Sequence, residues 1–308
     1  MKGFVFLILL ISQTLFAQRQ IAYLSLPAPT SIDPGRTAPD FQEVPFELVN
    51  GMIFVRAQLN NQPGAFILDT GAPMLVLNRS QQSPTLPAHS CSGSFQVGES
   101  TVRQFGWAGM EKYELRALTT DLSHLEVATG RTITGLIGYH LLKNQELFID
   151  YERQRLILLP PGQNSLHRVL TPIQSAPLTM QDHLPVIEFS IGNKVVRLGL
   201  DTGSETNLID RCLAAGLDQA LIDTIKEEEL QGLDGSIRTV PVIQFAESFW
   251  KELSMDQLHY LLTDLCHLND DRSSALGGLR GYHFLKPWKV SINYQQKKFY
   301  VWQFNSEM

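Results

Sequence analysis

Cysteine is scarce in this chain of 308 residues: there are three, Cys91, Cys212 and Cys266, and no Cys-x-x-Cys pair. That spacing gives no zinc cluster and no catalytic thiol. An odd count leaves at least one thiol unpaired within a monomer. Cys212 and Cys266 fall in the same half of the chain and could pair, which spacing alone does not decide. Clustered positive charge is missing as well, since 25 Lys and Arg stand against 31 Asp and Glu for a formal charge of -6. Nucleic acid is therefore not an expected partner. The chain also lacks a Gly-rich, Lys-bearing strand-to-helix segment of the kind that cradles phosphate.

Long apolar runs are absent apart from the N terminus. There Met1-Lys2 leads into Phe4-Val5-Phe6-Leu7-Ile8-Leu9-Leu10-Ile11, then Thr14-Leu15-Phe16-Ala17, before the polar Gln18-Arg19-Gln20. One positive residue, a short apolar core and a small residue at its end describe a secretory signal peptide cut after Ala17, and so an exported protein, periplasmic or extracellular. The run is short for a membrane span, so no stable membrane anchor is expected. No cysteine follows it to accept a lipid.

What the chain does contain is repetition. Asp-Thr-Gly occurs at Asp69-Thr70-Gly71 and again at Asp201-Thr202-Gly203, each time after an apolar run. Upstream of the first copy, Ile53 to Leu59, the turn Asn60-Asn61-Gln62-Pro63-Gly64 and Ala65-Phe66-Ile67-Leu68 spell a β-hairpin that delivers Asp69 from the end of its return strand. Upstream of the second, Val186 to Ile191, Gly192-Asn193-Lys194 and Val195 to Leu200 do the same for Asp201. An offset of 132 pairs Leu59 with Ile191, Asn61 with Asn193 and Leu68 with Leu200. Further on, Leu118 to Leu158 aligns without gaps on Leu261 to Val301 at an offset of 143, with 15 identities over 41 positions. The two offsets differ by 11 residues, an insertion in the second half. Self-similarity of this length implies two copies of one folded unit.

On these motifs the chain resembles the bilobal aspartic peptidases, of retropepsin-like or pepsin-like type, with both lobes in one polypeptide. The family pattern is an apolar pair before Asp-Thr/Ser-Gly-Ala/Ser in each lobe, followed tens of residues later by an apolar-apolar-Gly segment on which the Asp loop packs. Here Asp69-Thr70-Gly71-Ala72 matches with Leu136-Ile137-Gly138, and Asp201-Thr202-Gly203-Ser204 with Leu279-Arg280-Gly281. Arg280 departs from the pattern, which has an apolar residue there. A buried guanidinium near two carboxylates would need a partner or would favour their ionised forms.

The resemblance implies an all-β protein of two homologous, closed-barrel-like lobes of the acid-protease fold with a cleft between them. Its divisions would be a signal peptide at 1–17, a Pro-rich leader at 18–43, a first lobe at 44–160, a linker at 161–175 and a second lobe at 176–308. The leader reads as a tether, with a strand of an inter-lobe sheet or a masking pro-segment as alternatives. Short helices are predicted at Tyr139 to Lys143, at Tyr282 to Lys286 and within Arg211 to Leu230. Hairpin flaps over the cleft are placed at Ser92 to Gly98 and at Gly232 to Ile237.

Two carboxylates facing each other suit amide hydrolysis. Like charges about 3 Å apart cannot both ionise, so one accepts a proton from water while the other, protonated, polarises the scissile carbonyl. The implied activity is an aspartic endopeptidase with Asp69 and Asp201 as catalytic residues, needing no cofactor and no metal. Its substrate would be an extended polypeptide, and one chain would suffice as a monomer. By the same resemblance Thr70 and Thr202 lock the two Asp loops together. A hydroxyl at Ser204, where the first copy has Ala72, is expected to bond the outer oxygen of Asp201 and leave the proton on Asp69. The alternative is a peptide-binding protein that keeps the fold without turnover. His124, His140, His267 and His283 recur at matching positions, as duplication alone dictates, and read as packing or capping residues. Asp121 and Asp264 read as turn or cap residues, and Trp107, Trp250, Trp288 and Trp302 as core.

Overall fold

The computed structural model describes residues 41–78, 85–90, 93–162, 165–232, 236–265, 268–269 and 275–302, with the backbone alone at 85–90 and 93–96. The signal peptide, most of the leader, Cys91, Cys266, His267, and the flap tips at Ser92 and Leu233-Asp234-Gly235 lie outside these residues. Strands make up 56% of the structure and helices 12%, so the chain is all-β in class.

The hairpin ahead of Asp69 forms as its pattern dictates. Met52–Leu59 pairs antiparallel with Gln62–Leu68 in register from Phe54↔Ile67 to Leu59↔Gln62. Asn60 and Asn61 turn the chain with φ of 51° and 64°, a left-handed conformation that Asn tolerates better than branched residues. Ahead of Asp201, Leu184–Ile191 pairs with Lys194–Leu200. Phe66, Ile67 and Leu68 are fully buried, as are Leu198 and Leu200. Each such side chain contributes roughly 1.5–3 kcal/mol and anchors the strand that ends at an aspartate.

Among the described residues the strands form three sheets. In the first half the return strand Gln62–Leu68 runs parallel to Gly135–Ile137, which lies antiparallel to Val76–Asn78, itself parallel to Met110–Thr120. The second half repeats this order. Lys194–Leu200 runs parallel to Gly278–Arg280, which lies antiparallel to Asn207–Asp210, itself parallel to His259–Thr263. After Asn207–Asp210 the second half forms the helix Arg211–Ala215 and the 3-10 turn Gln219–Leu221.

The third sheet joins the halves in the order Gln42–Pro45, Arg155–Leu159, Glu146–Asp150, Lys289–Asn293, Lys298–Trp302, Pro172–Pro177. Its central pair comes one strand from each half, with Phe148 opposite Ser291. Gln42–Pro45 places the end of the leader in this sheet, and Pro172–Pro177 begins inside the stretch assigned to the linker. The helix Ser165–Val169 also falls within that linker; Leu166 and Leu170 pack against Phe148, Leu159, Tyr300 and Trp302. Tyrosines add reciprocal contacts between the halves: Tyr139 on Tyr294 and Tyr151 on Tyr282, each with ring centroids 5.4 Å apart.

The helices Tyr139–Leu142 and Tyr282–Leu285 form where predicted. A short helix also forms within Arg211 to Leu230, at Arg211–Ala215, while Ile222–Gln231 in the same range is a strand paired with Ile237–Phe245. Its charged residues favour a helix locally, but cross-strand pairing overrides that weak preference. The helix Ser123–Thr129 escapes the sequence pattern. Asp121 Oδ1 accepts the Ser123 N–H at 2.8 Å just ahead of it, the turn role expected of that residue. Trp107, Trp250 and Trp302 are buried core residues and Trp288 is half-buried. No helix among the described residues is long and apolar enough to cross a membrane.

Candidate active site

Each aspartate leaves its strand and is caught by the Gly-containing segment beside it. The Asp69 N–H donates to the Ile137 carbonyl at 3.0 Å, and the Asp201 N–H to the Arg280 carbonyl at 2.9 Å. The loops then close on the next helices, with Tyr139 N–H donating to Ala72 O at 2.9 Å and Tyr282 N–H to Ser204 O at 2.8 Å. A Cβ on Gly138 would lie 2.5 Å from the Ala72 and Met74 carbonyl oxygens, and one on Gly281 2.4 Å from those of Ser204 and Thr206. Leu136, Ile137, Gly138, Leu279, Arg280 and Gly281 therefore pack on the Asp loops by backbone contact.

Thr70 and Thr202 tie the loops to each other. The Thr70 hydroxyl donates to Leu200 O at 2.8 Å and accepts the Thr202 N–H at 3.0 Å. The Thr202 hydroxyl donates to Leu68 O at 2.9 Å and accepts the Thr70 N–H at 3.1 Å. Four buried hydrogen bonds thus cross between the halves within two residues of both carboxylates. The glycines complete the approach. A Cβ on Gly71 would stand 2.8 Å from Asp201 Oδ1, and one on Gly203 would stand 2.6 Å from Asp69 Cγ. Each glycine therefore leaves room for the aspartate of the other half. Gly71→Ala and Gly203→Ala should each force the carboxylates apart and lower any turnover at least about a hundredfold, read by steady-state kinetics.

Both carboxylates are buried, at 1% and 0% exposure. Asp69 Oδ1 accepts the Gly71 N–H at 2.8 Å and the Ala72 N–H at 3.0 Å. Asp201 Oδ1 accepts the Gly203 N–H at 2.8 Å, and the N–H groups of Ala72 and Ser204 also reach the main-chain oxygen of their own aspartate, at 3.2 and 3.3 Å. The Oδ2 atoms of both residues have no hydrogen-bond partner among the described residues. Burial pushes Asp69 up to about 6, opposed by hydrogen bonds from Asp201, Gly71 and Ala72. Burial also raises Asp201 well above the ordinary carboxylate range, and the charge of Asp69 adds to the shift. Hydrogen bonds from the Gly203 and Gly71 main chain oppose that shift, and the buried pair holds one proton between its two members.

The hydrogen bond expected of Ser204 is corrected. Its hydroxyl donates to Thr206 O at 2.8 Å, a local acceptor two residues on of the kind that captures serine side chains, and so leaves the outer oxygen of Asp201 alone. Ala72 matters through its N–H rather than its missing hydroxyl.

No protein-family model matches the chain, and no curated protein matches it. The two halves of the chain are therefore each other's best comparison. Measured that way, Arg280 leaves the second loop undisturbed, since its carbonyl does what that of Ile137 does in the first. Its side chain points away from the carboxylates, into the core. The guanidinium carbon lies 4.1 Å from the centroid of Phe189, 4.6 Å from Tyr260 and 5.2 Å from Phe284. Its three nitrogens are buried without a hydrogen-bond partner among the described residues. Burial lowers its pKa, with the Tyr260 phenol opposing the shift.

The three rings return about 2 kcal/mol each, against five N–H donors at roughly 1–3 kcal/mol each. Arg280→Met should accordingly stabilise the protein by about 1–4 kcal/mol in urea unfolding, with any activity unchanged within about threefold because the carbonyl is retained.

His183 escaped the sequence reading. It lies between the strands Thr179–Gln181 and Leu184–Ile191, and its Nε2–H donates to Gly71 O, in the other half, at 2.7 Å. Burial lowers its pKa, opposed by the bond to Gly71 and by Asp182. The offset of 132 places Gly51 at the equivalent position of the first half. This break in the repeat was the available signal. Among the described residues no group of three His, Cys, Asp or Glu side chains converges as a metal site. Cys212 is a free, exposed thiol.

Proposed function

We propose that the chain is an exported aspartic endopeptidase whose two halves are lobes of the acid-protease fold, working as a monomer on extended polypeptide. The observation that carries this reading is the meeting of Asp69 and Asp201, one from each half, on loops tied by four reciprocal hydrogen bonds.

In the reaction a water held between the two Oδ2 atoms attacks the scissile carbonyl carbon. Asp69, ionised, takes the water proton as the new C–O bond forms. Asp201 gives its proton to the carbonyl oxygen, producing a neutral tetrahedral diol. Return of a proton from Asp69 to the amide nitrogen accompanies C–N cleavage, and the proton on the diol oxygen passes back to Asp201. Stabilisation of the diol depends on carboxylates held in place beforehand rather than reorganised during the reaction. Because both side chains are buried, substrate entry requires a segment over the pair to move aside. The resemblance gives that role to the hairpins Thr85–Ser90 with Gly93–Trp107 and Ile222–Gln231 with Ile237–Phe245.

The test is cleavage of an unfolded protein by the purified mature chain across about pH 3 to 7, beside Asp69→Asn and Asp201→Asn. Cleavage by the wild type alone is expected. Cleavage that persists in either variant would overturn the assignment, and none by the wild type at any pH would leave a peptide-binding protein as the better reading.

A further inference from the structure

The two aspartates are related by the repeat, yet their surroundings differ at one residue that neither loop contains. The Gly71 carbonyl that accepts the His183 Nε2–H at 2.7 Å belongs to the peptide group whose N–H, on Ala72, donates to Asp69 Oδ1 at 3.0 Å. A continuous path thus runs from imidazole N–H to peptide C=O, and from the N–H of that same peptide to the carboxylate. Hydrogen bonds in series polarise one another, so a donor on the carbonyl makes the N–H beyond it a stronger donor. The second loop has no such path. Gly51 stands where His183 would, and has no side chain to donate to Gly203. The N–H groups of Ala72 and Ser204 both reach the main-chain oxygen of their own aspartate, but that of Ala72 bonds the carboxylate as well.

We propose that His183 is a positioning residue which, through the Gly71–Ala72 peptide group, makes Asp69 the ionised member of the pair and so assigns base and acid within an otherwise duplicated site. This rests on the peptidase reading for its catalytic meaning, but the coupling of His183 to Asp69 does not. Asp182 is the charged neighbour of His183. Around the carboxylates stand Tyr294, which feels both, and Tyr151, which feels Asp201; burial keeps the two phenols neutral. The two tyrosines occupy equivalent positions of the 143-residue repeat.

Residue-resolved NMR of the aspartate carboxyl carbons, on the full mature chain, reads the coupling without turnover. His183→Ala removes the donor, weakens the Ala72 N–H and should raise the Asp69 midpoint by about one unit, equivalent to tenfold in proton affinity. The acid limb of the kcat/KM profile should move up by the same amount. His183→Gln, which keeps an N–H at similar reach, should restore both towards wild type. His183→Leu, which fills the space without a donor, carries the same expectation as Ala should the smaller residue fail to fold. In the wild type, protonating His183 should itself shift the Asp69 signal. Asp69 titrations that coincide in wild type, His183→Leu and His183→Gln would overturn the proposal even if cleavage is observed. Absence of cleavage with a shifted Asp69 titration would instead retain the coupling and remove the peptidase reading.

Discussion

Asp69→Asn should stabilise the protein at about pH 7 by on the order of 3 kcal/mol, leave its stability near pH 3 unchanged, and remove catalysis by about 10⁴-fold or more. The sign follows from burial. Asp69 is raised from 3.8 to about 6 in the folded protein, so the folded state binds that proton more tightly than the unfolded chain. Below about 3.8 the carboxyl is neutral in both states and costs nothing. As pH rises from there through about 6, the unfolded chain ionises freely while the folded one must hold a buried charge, and the stability contribution is lost. Asn is neutral throughout and its Oδ1 still accepts the Gly71 and Ala72 N–H groups. Asp201→Asn should remove any activity as well and likewise stabilise the protein near neutral pH, because a carboxyl held well above the ordinary range in the folded protein costs stability wherever the unfolded chain has ionised. Urea unfolding of the three proteins at matched pH measures the difference. A variant no more stable than wild type near pH 7 would show that burial does not raise the carboxyl it replaces.

Thr70→Val should destabilise the protein by about 2–6 kcal/mol. The change keeps the β-branched shape but orphans two buried groups, the Leu200 carbonyl and the Thr202 N–H, at roughly 1–3 kcal/mol each. Thr202→Val orphans the Leu68 carbonyl and the Thr70 N–H and should cost as much. Either loss is large against a typical total of about 5–15 kcal/mol. Activity should fall further than stability predicts, since the same bonds hold the carboxylates in register across the halves. Thr70→Ser retains both bonds, loses one methyl group and should cost only about 1 kcal/mol. A Thr70→Val protein that unfolds within about 0.5 kcal/mol of wild type would show that the cross-bonds do not hold the halves together.

Much of the candidate site was legible because it depends on short segments. Leu68 and Leu200 at the ends of alternating strands, the turn at Asn60-Asn61 and the small residues after each aspartate are local signals, and duplication printed them twice. Gly138 and Gly281 were legible for the same reason, since only glycine admits a carbonyl so close. The strand Ile222–Gln231 was not, because Lys226 to Glu229 favour a helix until Ile237–Phe245 lies beside them. The Ser204 hydroxyl could not be assigned from sequence either, for two acceptors lay within its reach and only the loop's shape chose Thr206.

Sequence by itself determined the all-β class, the twofold repetition and the identity of the two aspartates, because strand period, turn residues and self-similarity are properties of contiguous chain. Tertiary structure alone decided that the two carboxylates stand in unlike surroundings. Asp69 Oδ1 accepts the Ala72 N–H, and the carbonyl of that same peptide group accepts from a histidine more than a hundred residues away. Arg280 makes the same distinction. Its sequence position suggested a charge beside the site, but the fold uses its carbonyl there and turns its side chain onto three aromatic rings, since a backbone contact does not depend on the side chain that follows it.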